Sequence, residues 1–314
     1  MKKVATLLLV LTLAAVFVTA GVPAALAEQP LELVLVPPAM ESPFYKAILD
    51  GAQPKAEELG YKFTLLSPQR PDDPSEQVQI VEDLVTRGVA GIAICAHDDK
   101  AIVSAVKKAN DAGIPIVIFN SLTDLPGGDV YAYVGYEQEA GGANIADWVN
   151  KVTNGEANVA ILEGLPGFHS TARAGGFTDQ VSANYPGLKI VASQPADWSR
   201  EKGMNVATNM FQADPTIQVF YGLNDEMALG AAQAMKQLNQ ADIITVGIDG
   251  NPNAMEAVNR NELTATLYVN PVGIGAASME MLDAAINGKP APENQRVVVD
   301  TIVVDKTMVD DYLP

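Results

Sequence analysis

Short apolar runs alternate with stretches of helical periodicity along most of this chain. Residues 31–36 read as a strand, and in 43–59 the apolar positions Phe44, Ile48, Ala52, Ala56 and Leu59 recur at three- and four-residue steps, predicting a helix. Pro54 falls inside that helix and predicts a kink or break, since proline removes a backbone donor. The rhythm continues through strand 61–66, helix 75–87 closed by Gly88, strand 89–96, helix 100–112 and strand 114–119. Residues 121–136, with Asp124, Pro126, Gly127, Gly128 and Asp129, break it and read as a connector between domains. Alternation then resumes with helix 140–152, strand 157–162, helix 171–183, strand 188–193 and helix 200–212. The strand run Ile217, Val219, Phe220, Tyr221 follows and turns through Gly222 into a helix from Met227. Strand 243–248, helix 252–259, strand 263–269, helix 273–286 and a last strand, 296–304, complete the pattern. Such alternation implies parallel sheets covered by helices on both faces. Two similar Rossmann-like α/β lobes fit it better than one sheet of roughly ten strands.

The first residues follow a different rule. Lys2 and Lys3 precede an apolar run, and Ala25-Leu26-Ala27 stands before Glu28 as a small-residue cleavage site, so residues 1–27 read as a secretion signal. No cysteine follows the run, which disfavours a lipid anchor, and nothing later looks like a spanning segment. Removing the signal takes two lysines from the 20 basic and 38 acidic residues and leaves a net charge of −20. That surface repels nucleic acid and anionic lipid. Cys95 is the only cysteine, so no internal disulfide forms and stability rests on buried cores; within Gly91-Ile92-Ala93-Ile94-Cys95 it reads as a small buried hydrophobe.

In open α/β sheets ligands bind beyond the carboxyl ends of the strands. The residues at those ends here are Ser42, Phe44 and Tyr45; Asn120 and Ser121; His169 and Arg173; Trp198; Asn224; and Asp249. If two lobes face each other, these edges converge on one space holding amides, a carboxylate, a guanidinium and aromatic rings. The mixture suits a polyhydroxylated small molecule, whose hydroxyls give and accept hydrogen bonds while its C–H faces pack on rings. Each residue also has a structural reading. Asn224 caps a helix, Phe44 or Tyr45 belongs to the core, Arg173 pairs with a surface acid, and Asp249 is a turn residue ahead of Gly250. His97 and His169 lack metal-type spacing and read as polar loop residues.

The segments SPFYKAILDGAQPKAEELGY (42–61), VEDLVTRGV (81–89), ASQPADWSREKGMNV (192–206), LNDEMALGA (223–231) and VGIDGNPNA (246–254) resemble the periplasmic ribose-binding proteins and their sugar-binding relatives among the solute receptors of ABC importers. The resemblance implies two lobes joined by three crossovers and closing around one sugar. It implies an N-terminal lobe of residues 28–136 plus 270–300 and a C-terminal lobe of 137–269 plus 301–314. Phe44 and Tyr45 match the aromatic pair of the first lobe, and Trp198 the aromatic of the second. Arg173 ahead of Gly176-Phe177, Asn224 and Asp249 match the groups that grip hydroxyls. Four positions depart from the ribose pattern: Ser42 replaces asparagine, Asn120-Ser121 replaces Asp-Arg, and Val269, followed by Asn270, replaces glutamine. A different pentose, a hexose or a polyol therefore fits better than ribose, and the residues do not choose among them.

The resemblance implies a monomeric periplasmic receptor that delivers its ligand to an ABC permease of the inner membrane. The alternative is a sensory receptor of the same fold that presents a signal molecule, such as a furanosyl autoinducer, to a membrane kinase or chemoreceptor. An enzyme is not expected. The chain carries no G-x-x-x-x-G-K-[ST], H-E-x-x-H or G-x-S-x-G, no G-x-G-x-x-G after its first strand, and no second strand-end carboxylate to partner Asp249. No cofactor, metal or nucleic acid is expected either, and no helix-turn-helix precedes the first strand.

Overall fold

The computed structural model describes residues 31–70 and 73–313, so the expected signal lies outside the described residues. The first sheet is built from β1 (Glu32–Val36), β2 (Lys62–Leu65), β3 (Gly91–Ile94), β4 (Ile116–Phe119) and β5 (Ala132–Gly135), interleaved with α1 (Pro43–Glu58), α2 (Pro74–Arg87) and α3 (Val103–Asp111). The second follows with α4 (Gln138–Val152), β6 (Ala157–Glu163), α5 (Phe168–Asn184), β7 (Leu188–Pro195), α6 (Arg200–Ala213), β8 (Val219–Gly222), α7 (Asp225–Gln237), β9 (Ile244–Asp249), α8 (Pro252–Asn259) and β10 (Ala265–Tyr268). Helix α9 (Pro271–Ile286) and strands β11 (Arg296–Val298) and β12 (Ile302–Asp305) complete the chain.

The two sheets have one plan. Their orders are β11-β5-β4-β3-β1-β2 and β12-β10-β9-β8-β6-β7, parallel throughout except that β12 runs antiparallel to β10. In each, the first strand of the lobe sits between its second and third, so the order reverses beside β1 and beside β6. Such a reversal opens a crevice at the carboxyl edge. Among the described residues the chain passes between sheets three times: from β5 into α4, from β10 into α9, and between β11 and β12. Central strands are enclosed on both faces, which is why they read as continuous apolar runs: Leu33, Val34, Leu35 and Val36 are fully buried, as are Ile92, Ala93 and Ile94. Cys95 is buried with them, as its setting predicts.

Three sequence expectations need correction. Residues 121–136 are not all connector: β5 pairs with β4, Val117 facing Ala132 and Phe119 facing Val134. Four residues beside a Gly- and Asp-rich turn give too little periodicity to stand out. The expected single strand 296–304 is two strands in different sheets, because a continuous β-forming run does not reveal that it changes partner at 299–301. Pro54 does not break α1. The proline is exposed, while Phe44, Ala47, Ile48, Gly51, Ala52 and Ala56 form one buried face on both sides of it, and that packing offsets the lost backbone bond.

Three helix pairs interlock through reciprocal glycines. A Cβ on Gly51 of α1 would lie 1.9 Å from the Val272 carbonyl oxygen of α9, and one on Gly275 of α9 would lie 2.0 Å from that of Ile48. Gly142 and Gly176 relate α4 to α5 in the same way, and Gly203 and Gly230 relate α6 to α7. All six helices begin at the sheet edges facing the crevice. Close backbone contact therefore fixes where their first turns stand.

Candidate ligand-binding cleft

Between the carboxyl edges of the two sheets lies a cavity of about 90 Å³, several times the roughly 10–15 Å³ that admits one water. Its walls come from both lobes. Ser42, Phe44 and Tyr45 of the β1–α1 turn, Ala96 and His97 after β3 and Asn120 after β4 face His169 and Arg173 of α5, Trp198, Asn224 and Asp249. Eight of the ten residues expected from sequence thus meet in one space. Ser121 and Asn270 do not line it. Ser121 Oγ accepts from the Thr123 backbone N–H at 3.2 Å, and Asn270 Oδ1 caps α9 by accepting from the Gly273 N–H at 3.0 Å and from the Tyr268 hydroxyl at 3.1 Å.

The polar centre is Arg173, which is buried rather than paired with a surface acid. Its Nε donates to Gln138 Oε1 at 2.8 Å, and its Nη1 donates to the Leu223 carbonyl at 2.6 Å and to Asp249 Oδ1 at 3.3 Å. Asp249 ends β9 with φ of 138°, a value that non-glycine residues rarely take. The loop after it is braced from α7 and β10. Asp225 Oδ2 accepts the Asn251 backbone N–H at 2.8 Å, the Thr266 hydroxyl donates to Asp225 Oδ1 at 2.5 Å, and the Gly250 N–H donates to the same hydroxyl at 3.2 Å. Asp225 is therefore a support for the Asp249 loop as well as a first-turn acid. Burial pushes the Asp249 carboxyl up to about 6, with Arg173 working against the rise. The Asp225 carboxyl is pushed up as well, by burial and then by the charge of Asp249. Two buried carboxylates thus stand close together, and only Asp249 pairs with the guanidinium.

Asn224 caps α7 and also holds the Trp198 loop. Its Oδ1 accepts from the Met227 N–H at 2.9 Å and caps α7, and its Nδ2 donates to the Trp198 carbonyl at 3.4 Å. Trp198 has φ of 61°, and its ring lies 5.7 Å from the Arg173 guanidinium carbon. Across the cavity Phe44 and Tyr45 pack edge to face at 5.3 Å, and the Tyr45 hydroxyl is 3.5 Å from Cys95 Sγ. Asn120, with φ of 59°, is buried, and among the described residues its Oδ1 takes no hydrogen bond from a protein donor. Ser42 begins α1 without capping it through its side chain.

His169 is a correction. It stands in the first turn of α5, not in a loop, and its Nε2 is 3.9 Å from Cys95 Sγ of the first lobe. Burial, reinforced by the charges of Arg173 and His97, pushes its pKa down to about 3, so the ring is neutral at ordinary pH. Sequence reasoning also missed Gln138, whose Nε2 donates to the Asn120 carbonyl at 3.0 Å. Only its place immediately after the first crossing distinguishes it in the sequence. Among the described residues no cluster of three or more His, Cys, Asp or Glu side chains could hold a metal, and no helix is long and apolar enough to cross a membrane.

Two doubly wound lobes around one enclosed polar-and-aromatic cavity define a two-lobed binding protein for a small ligand. Residues 33–290 match the model of the periplasmic binding protein domain, and the chain belongs to that family. It is 36% identical over 290 residues to a ribose import binding protein of Salmonella typhimurium, covering 92% of this chain and 94% of that protein. With a D-allose-binding periplasmic protein of Escherichia coli it shares 34% identity over 285 residues, covering 87% and 91%. A crystal structure of an ABC transporter periplasmic solute binding protein from Actinobacillus succinogenes with bound D-allose superposes with a TM-score of 0.85 at 30% identity, covering 90% of this chain and 100% of that one.

Proposed function

We propose that this protein is a periplasmic receptor that binds one neutral monosaccharide-like molecule, other than ribose, and delivers it to an ABC permease of the inner membrane. The observation that carries the reading is the buried Arg173–Asp249 pair at 3.3 Å in a cavity walled by Phe44, Tyr45 and Trp198. A fixed carboxylate and guanidinium hold hydroxyls, and the rings receive the C–H faces of a sugar. Asn224 and Ser42 add neutral polar contacts, and a ligand hydroxyl is the donor we assign to Asn120 Oδ1. Asn120 stands where the ribose pattern has a carboxylate, and with the arginine replaced by Ser121 the first lobe recognises a different set of hydroxyls. The relatives that carry import in their names, and the neighbour holding D-allose, support transport over signalling and a binding role over catalysis.

We assign residues 28–136 with 270–300 to one lobe and 137–269 with 301–314 to the other, a division that the membership of the two sheets supports. Ligand touching both stabilises the closed state, which the permease recognises. The protein acts as a monomer after removal of residues 1–27. A thermal-shift screen of D-allose, D-arabinose, D-apiose, D-ribose and myo-inositol, followed by calorimetry, tests the reading. A ligand at 100 times its Kd adds about 2.7 kcal/mol of stability. No shift with any of the five, together with unchanged tryptophan emission, would reject it.

A further inference from the structure

We propose that Gly164 is a positioning residue for ligand binding. Having no side chain, it lets the Trp198 indole lie against the backbone just past β6 and so sets how far the second lobe's aromatic wall reaches into the cavity. The inference rests on the reading of the cavity as a sugar site. A Cβ built on Gly164 would stand 2.0 Å from Trp198 Cζ2, 2.1 Å from Cε2 and 2.3 Å from Cη2. Real Cβ contacts do not come so close, so an added methyl and the present ring position exclude each other.

The relief open to the molecule is limited. The loop carrying Trp198 is fastened to the residue just before Gly164, because the Ala196 and Asp197 backbone N–H groups both donate to the Glu163 carbonyl, at 2.8 and 3.1 Å. Glu163 also faces Pro195 in the β6–β7 ladder. Asp197 and Trp198 both occupy the left-handed region, with φ of 50° and 61°, and the Trp198 carbonyl is held by Asn224. Sliding the loop would break these bonds. Trp198 lines the cavity and touches Gly164, which does not line it, so a ring pushed off Gly164 moves into about 90 Å³ of ligand space. In the sequence Gly164 reads as one of two turn glycines in Leu162-Glu163-Gly164-Leu165-Pro166-Gly167, and nothing there points to a tryptophan 34 positions on.

The test is a double-mutant cycle by calorimetry with the tightest binder among D-allose, D-arabinose, D-apiose, D-ribose and myo-inositol. Gly164→Ala should raise Kd about tenfold or more in the wild-type background and less than about twofold in a Trp198→Phe background, where the smaller ring vacates the methyl's place. Equal losses in both backgrounds, or no loss in the first, would overturn the inference. If Gly164→Ala does not fold, recovery of the fold by adding Trp198→Phe supports the same clash, and failure to recover it counts against it. If the wild-type protein binds none of the five, the sugar reading is what fails. The inference is then decided without ligand in a Trp148→Phe chain, where Trp198 is the sole tryptophan. Gly164→Ala should change its acrylamide quenching, and identical quenching and emission would sink the proposal.

Discussion

Gln138 Oε1 accepts the Nε proton of Arg173 at 2.8 Å while the Gln138 Nε2 donates to the Asn120 carbonyl at 3.0 Å. Asn120 follows β4 of the first sheet, Arg173 stands on α5 beside the second, and Gln138 opens the helix after the first crossing. One side-chain amide thus links the two walls of the cleft at their hinge. Gln138→Leu leaves a buried guanidinium N–H without its acceptor, a loss of about 1–3 kcal/mol. Calorimetry should show sugar affinity down about tenfold or more, with circular dichroism unchanged. A wild-type Kd would mean that Asp249 and the Leu223 carbonyl hold Arg173 unaided.

Asp249 makes binding depend on pH. Its carboxyl is pushed up to about 6 in the folded protein, and ligand hydroxyls donate to the ionised form, so binding favours loss of the proton. As pH falls through about 6 the free protein takes up that proton and affinity drops, by up to about tenfold per pH unit; above it the profile is flat. The unliganded fold responds with the opposite sign. A raised folded pKa means that the native state keeps a proton which the unfolded chain releases, so this group's contribution to stability falls as pH rises from about 4 to about 6. Asp249→Asn should flatten the binding curve and leave in the stability curve the part that Asp225, also pushed up by burial, contributes; persistence of the binding dependence in that variant would assign it to another group. Asp249→Ala should abolish detectable binding, because Arg173 and the ligand hydroxyls lose their charged partner.

Cys95 offers a readout of closure that needs no label. It is buried in the first lobe and faces His169 of the second at 3.9 Å, so separation of the lobes uncovers it on that side. Alkylation of this single cysteine by iodoacetamide should slow about tenfold or more when saturating sugar holds the lobes together. Equal rates with and without a bound sugar would show that the thiol is shielded by its own lobe.

Much of this architecture was legible because parallel strands buried on both faces announce themselves as unbroken apolar runs, and β1, β3 and β4 did so. The cleft residues were legible as well, because Asn224, Asp249 and Trp198 are polar or aromatic side chains placed where a strand stops. What escaped has a common cause. β5 and the division between β11 and β12 depend on which strand a short segment pairs with, and pairing partners are distant in sequence. Gln138 and Gly164 act through residues 35 and 34 positions away, Arg173 and Trp198, and neither carries a local pattern. Pro54 was misjudged in the other direction, its local preference being overruled by a buried helix face.

The reciprocal glycines leave no soft layer between α1 and α9, α4 and α5, or α6 and α7. A tug on the ring of Phe44 at the start of α1 must therefore be felt by α9 as well, as a lever turns about its pin. Closure of the kind proposed above then turns each lobe as one stiff jaw.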